Sequence, residues 1–269
     1  MLQFIQPSIR LVTNPADSQK VLSLIRTRLA QKLYGVNWSL LVARRRQKLN
    51  SADALLGASD FSFRDSTGLV HSPLFDSARE IFEQHGYSVQ MVALHGESRP
   101  EEAFAGGWVP NLPDVVRARF WDGVLRTLTK GAIRPRFEER TWIRRLEEVQ
   151  PKVVVANQPS PSLCRAGRHR GIGVFDLQHG YIGDNRFYYN YLNPQRASTS
   201  EWPTAILCWD IPTRDRINAV LGDRTQARLV GHPWLARFTS NNLNDSVARD
   251  AVAAVKSLKA AQDLPLVVV

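Results

Sequence analysis

The segment VVVANQPSPSLCRAGRHRGIGVFDLQHGY, residues 153–181, decides the fold. It opens on a short apolar run, Val153 to Ala156, which is long enough for a buried strand and too short for a helix. Pro161 then starts a helix that reaches His169, because proline has no N–H to lose in a first helical turn. Ile172 to Leu177 is a second apolar strand. Two buried strands joined by a helix form a βαβ unit, and a unit of that kind needs its strands parallel.

The same alternation continues on both sides. Toward the carboxyl terminus, Ala205 to Trp209 reads as a strand, Pro212 to Leu221 as a helix and Ala227 to Val230 as a strand. Upstream, Pro113 and Pro135 each open an amphipathic helix, ending near Lys130 and Val149. Tyr87 to Leu94 alternates like a strand, and Ser72-Pro73 begins a helix with Phe75, Ala78, Ile81 and Phe82 inward and Gly86 as its stop. From His95 to Leu112 the chain reads as a long loop. Val36 to Leu49 fits strand or helix equally, and a loop is expected from there through Asp60. Asn14-Pro15 starts a helix in which Val21, Leu22, Ile25, Leu29 and Leu33 keep a helical period as far as Gly35.

These elements predict an α/β protein: a Rossmann-like, doubly wound, mostly parallel sheet with helices on both faces and extra N-terminal helices. Residues 1–240 are expected to form that domain. Residues 241–269 are expected to be an Ala-rich linker helix, Asn244 to Gln262, and the first strand of a truncated second domain, Leu264 to Val269.

Composition narrows the class further. Of 269 residues 43% are hydrophobic, with 16 Gly and 15 Pro, which excludes a disordered or low-complexity chain. No apolar run approaches the length of a membrane-spanning helix, and MLQFIQPSIR lacks the pattern of a secretory signal. The expected location is the cytoplasm, with peripheral attachment to the inner face of the plasma membrane left open. Cys164 and Cys208 are too few for a disulfide framework or a thiolate zinc site, and are expected as buried filler. The net charge of +10 comes from 28 Arg and 7 Lys against 25 acidic residues. A phosphate-bearing partner, an anionic lipid surface and an Arg-rich coding background explain that excess equally well. Arg44-Arg45-Arg46 and the set Arg165, Arg168, His169, Arg170 are the densest basic runs, and neither is long.

In doubly wound sheets ligands bind outside the carboxyl ends of the strands. That rule selects Asn157 and Gln158 after the first strand of the opening segment, and Gln178, His179, Gly180 and Tyr181 after the second. It also selects Asp210 and His232 after the two later strands. Gln-His-Gly-Tyr occurs twice, at residues 84–87 and 178–181. The first copy ends a helix, where Gly86 stops the helix and His85 suits the dipole, so it needs no function. The second follows a strand, and there a neutral imidazole can take a proton from a hydroxyl once a carboxylate or carbonyl orients it. Asp176, Asp184 and Asp210 are candidates for that partner. The aromatic group Phe187, Tyr188, Tyr189 and Tyr191 fits a sugar-stacking platform or plain packing, and Arg186 and Arg196 fit phosphate contacts or surface arginines.

The stretches VFDLQHGYIGDNRFYYNYL, residues 174–192, and LVGHPWLARF, residues 229–238, with a strand ending in Trp209-Asp210 between them, resemble GT-B glycosyltransferases. The likeness is to the amino-terminal half of such enzymes of bacterial capsule and surface-polysaccharide synthesis. It is similar also to teichoic acid glycerophosphotransferases, in which Trp-His-Gly replaces Gln-His-Gly. The resemblance covers about Val153 to Phe238. It implies that His179 deprotonates the acceptor hydroxyl, that Asn157, Gln158, Gln178, Gly180, Tyr181, Asp184, Arg186, Asp210 and His232 line the substrate site, and that a nucleotide-sugar binds mainly to a second domain. The implied acceptor is a carbohydrate or a lipid-linked saccharide. No Asp-x-Asp motif, phosphate loop, Gly-x-Ser-x-Gly elbow or His-Glu-x-x-His pair occurs, so no metal and no cofactor is expected. The alternatives are a catalytically inactive scaffold domain of a polysaccharide-synthesis complex and a basic nucleic-acid-associated protein.

Overall fold

The computed structural model describes residues 47–59, 63–64, 68–94, 107–109, 112–180, 182, 199–222 and 225–239, with helical positions at 249, 252–253 and 256–257. The expected N-terminal helix, the aromatic group at 187–191 and the final apolar run lie outside these residues.

Six strands form one parallel sheet: β1 (Ala54–Ala58), β4 (Val89–Ala93), β5 (Val153–Ala156), β6 (Gly173–Leu177), β7 (Ala205–Cys208) and β8 (Gln226–Leu229). Their spatial order is β4-β1-β5-β6-β7-β8. A short antiparallel pair, β2 (Phe63–Arg64) and β3 (Val70–His71), is inserted after β1. The helices are α1 (Pro73–Gln84), α2 (Pro113–Leu128), α3 (Phe137–Val149), α4 (Pro161–Arg170), α5 (Ile211–Leu221) and α6 (Pro233–Thr239). The predicted Rossmann-like, doubly wound class is therefore the class observed.

Two apolar layers sandwich the sheet. Leu55, Val92, Val154 and Val174 pack on one side against Leu112, Trp142, Leu146 and Leu163, from the α2, α3 and α4 region. Leu56, Met91, Val155 and Leu177 pack on the other side against Phe75 and Ala78 of α1. Below β7, α5 closes a third cluster with Ile206, Trp202, Ile217 and Leu221. Cys164 and Cys208 are both buried and are not joined in a disulfide. Burial, reinforced by the Asp176 and Asp210 carboxylates, pushes the Cys208 thiol up to about 12.

Three differences from the sequence reading have physical causes. The expected loop through Asp60 contains β1, a central strand whose five residues are all buried. Ala54-Leu55-Leu56-Gly57-Ala58 carries no β-branched residue, yet a strand buried on both faces selects for size: a Cβ on Gly57 would lie 2.8 Å from Leu94 Cδ1. Tyr87 to Leu94 was expected to alternate, whereas β4 is buried at four consecutive positions. Ile81, expected inward, is exposed on α1.

Polar contacts lock the helical layer. Asp122 of α2 accepts the backbone N–H groups of Phe137 and Glu138 at 2.9 and 3.0 Å, capping α3 from a neighbouring helix. Arg145 is fully buried and bonds Asp114 Oδ1 at 2.7 Å, Glu148 Oε2 at 2.9 Å and the Gln47 carbonyl at 2.6 Å. Arg165 bridges Glu139 and Glu201, each at 2.7 Å. Part of the densest basic run is thus structural.

Candidate active site at the carboxyl edge of the sheet

Counted along the chain, the parallel strands lie in the order 2-1-3-4-5-6, so the winding reverses between β1 and β5. At such a switch point two neighbouring connections leave in opposite directions and open a crevice at the carboxyl ends. Ser59 and Asn157 emerge there. The Ser59 N–H donates to Asn157 Oδ1 at 2.7 Å, and the Asn157 N–H donates to the Gly57 carbonyl at 3.1 Å. Asn157 is fully buried, and its Nδ2 has no hydrogen-bond partner among the described residues. A buried amide donor without an acceptor costs about 1–3 kcal/mol, and a ligand oxygen offered in the crevice would recover it.

The next residue is held in a strained form. Gln158 has φ +48, and its N–H donates to Asp176 Oδ1 at 2.8 Å. Asp176, fully buried near the end of β6, therefore ties the turn after β5 to the next strand. Left-handed backbone at a non-glycine residue is costly and persists where neighbours enforce it.

One strand further on, Gln178 is buried and both ends of its amide are used. Oε1 accepts the Trp209 N–H at 2.8 Å, and Nε2 donates to the Gly180 carbonyl at 3.0 Å. This side chain fastens the end of β7 to the turn after β6. His179 is half-buried in that turn, and a Cβ on Gly180 would meet nothing within 4 Å. The imidazole is thus neither sealed in the core nor free on an open surface.

The residues after β7 and β8 form the adjoining wall. His232 packs against Trp209 with ring centroids 4.0 Å apart and planes tilted by 42°, and Leu235 N–H donates to His232 Nδ1 at 3.4 Å. Burial holds the His232 imidazole below its ordinary pKa. Asp210 is exposed and caps α5: Oδ1 accepts the Thr213 N–H at 2.7 Å and Oδ2 accepts its hydroxyl at 3.1 Å.

On the far side of the switch point Asp76, at the start of α1, gathers the insertion after β1. It accepts Trp108 Nε1–H at 3.0 Å and Ser72 N–H at 3.2 Å, and lies 3.4 Å from His71 Nδ1. Under the edge, Glu138 accepts Arg119 at 2.7 Å and the Ser160 hydroxyl at 2.8 Å. Burial works to raise the Glu138 pKa, but the Arg119 charge and these hydrogen bonds outweigh it and hold the carboxyl below its usual range.

Of the sequence-predicted residues, Asn157, Gln158, Gln178, His179, Gly180, Asp210 and His232 all fall on this carboxyl edge, while Tyr181, Asp184 and Arg186 lie outside the described residues. They divide by role. Gln178 and Asp210 have their polar atoms engaged by the protein, whereas Asn157 keeps a donor and His179 keeps partial exposure. Ser59 was missed because β1 was missed, and Trp209 was read only as a strand end. A stretch of small apolar residues between Asp53 and Asp60 was the available signal for Ser59.

No family model matches the chain, and no curated protein matches it.

Proposed function

We propose that the chain is the acceptor-side domain of a glycosyltransferase that builds a surface polysaccharide or extends a lipid-linked saccharide. The observation that carries this reading is His179, half-buried at the carboxyl end of β6, one strand from the switch point of a parallel sheet. The donor left over on Asn157 supports it, since a saccharide is dense in acceptor oxygens.

In this reading, with the donor held by a second domain, His179 accepts the proton of the acceptor hydroxyl. The oxygen forms a bond to the anomeric carbon of the donor sugar as that carbon's bond to the nucleoside diphosphate oxygen breaks. The bonding pair leaves with the diphosphate. Asn157 Nδ2 hydrogen-bonds a sugar oxygen, and the Trp209–His232 pair provides an apolar wall for a ring face. Gln178 acts as a positioning residue that holds the turn bearing His179, and Asp176 as one that holds the turn of Asn157 and Gln158.

The test follows histidine imidazole signals by NMR while saccharide acceptors are added to the chain, with the His179 signal assigned by its loss in His179→Ala. A saturable shift at His179 and none at His85 is expected. If no acceptor moves the His179 signal, or both histidines move alike, the reading is overturned and the scaffold alternative takes its place.

A further inference from the structure

The bend between α2 and α3 exposes three large apolar side chains in a short length of chain: Leu128 is 57% exposed, Ile133 54% and Phe137 41%. Folding normally withdraws such residues, and a cluster of them marks an interaction surface. Among the described residues of this stretch the exposed charges are all of one sign. Lys130, Arg134, Arg136, Arg140 and Arg144 are exposed, while the acids of the same stretch, Glu138 and Glu139, are buried. Glu138 is turned inward to Arg119 and Ser160, and Glu139 to Arg165 at 2.7 Å, with Arg136 only at 3.9 Å. The fold thus removes negative charge from this tip and leaves the cations on it. Phe137, Ile143, Arg140 and Arg144 also line a shallow hollow of about 370 Å³.

We propose that this tip is a docking surface for an anionic lipid bilayer. A bilayer interface takes both halves of the surface, with apolar side chains at the acyl boundary and guanidinium and ammonium groups at lipid phosphates. Phosphate recognition on a nucleic acid would leave Leu128 and Ile133 without a use. Placement agrees. The Ser160 hydroxyl, which bonds Glu138 at the first turn of α3, belongs to the residue that caps α4 just after β5, so the tip lies at the same carboxyl edge as Asn157 and His179. A bilayer bound there would present lipid-linked material toward the candidate site. The docking itself does not depend on the transferase reading.

The experiment is co-sedimentation of the chain with vesicles of phosphatidylglycerol and phosphatidylcholine, and with vesicles of phosphatidylcholine alone. Binding to the anionic vesicles only is expected, weakening with salt. The triple variant Lys130→Glu/Arg134→Glu/Arg136→Glu should bind at least tenfold more weakly, and Ile133→Ser/Phe137→Ser several-fold more weakly, with thermal unfolding unchanged. Arg228→Glu, on the edge strand β8, should bind like the original, in contrast to the matched single reversal Arg134→Glu. Should a reversal disturb folding, Arg134→Gln/Arg136→Gln serves as the gentler variant and should still weaken binding. Equal binding to uncharged vesicles overturns the proposal, as does undiminished binding by the tip variants. So does tighter binding of a single-stranded oligonucleotide that Ile133→Ser/Phe137→Ser leaves untouched, which would make the tip a nucleic-acid surface.

Discussion

The two Gln-His-Gly-Tyr copies share four residues and almost nothing else. At residues 84–87 all four are exposed at the end of α1. His85 Nδ1 lies 2.8 Å from the Ile81 carbonyl, Gly86 turns the chain at φ +79, and Tyr87 meets the edge of Phe82. In the second copy Gln178 is buried with its amide spent on two neighbours, and His179 and Gly180 are half-buried. The first copy closes a helix and serves its own backbone. The second ends a strand of a parallel sheet, where backbone pairing is already complete, so its side chains are left to build an edge. A tetrapeptide takes its role from the element it terminates.

Six substitutions probe that contrast, from the largest effect down. In an assay of sugar transfer by the complete enzyme, with its donor-binding domain, His179→Ala should lower turnover by ~10² to 10⁴ with little change in stability, while His85→Ala spares turnover. Equal loss in both variants would erase the difference between the copies. Next, Gln178→Leu should destabilise by about 2–3 kcal/mol, since it strips partners from the Trp209 N–H and the Gly180 carbonyl, whereas Gln84→Leu should be near neutral by denaturant unfolding. The glycines reverse this order. Gly86→Ala forces a side chain into left-handed backbone and should cost about 1 kcal/mol, while Gly180→Ala, with open space around it, should stay within about 0.5 kcal/mol. His85→Ala itself should cost at most about 1 kcal/mol through the lost contact at the helix end.

The smallest effect is one of pH, at the wall beside the second copy. His232 titrates below its ordinary 6.5 in the folded chain because burial disfavours the imidazolium. Between the two values the unfolded chain binds more protons, so His232 favours folding fully above about 6.5, and that advantage is lost as pH falls through the lower, folded value. His232→Phe should flatten the decline in melting temperature between pH 7.5 and 5. An unchanged slope would mean that the packing against Trp209 does not shield the ring.

Legibility followed the same physics. Helices α2, α3, α4 and α5 and strands β5 to β8 were readable to within two residues, because proline starts and glycine stops act locally and short apolar runs stand out between them. The role of His85 was readable for the same reason. β1 was not, since Ala-Leu-Leu-Gly-Ala has no local signature of a strand. With β1 went the position of the switch point and the partner of Asn157.

The sequence by itself determined the class of fold, which side chains follow the strands at the carboxyl edge, and the difference in kind between the two copies. Each follows from local chain chemistry or from the constraint that buried parallel strands need helical crossovers. Only the tertiary structure decided that Gln178 is a fastener, that Asn157 Nδ2 is buried with no partner among the described residues, and that Glu138 and Glu139 turn inward and leave the α2–α3 bend basic. Those outcomes depend on which atoms meet across 20 or more residues of chain, as Gln178 and Trp209 do at a separation of 31, and no periodicity records such meetings.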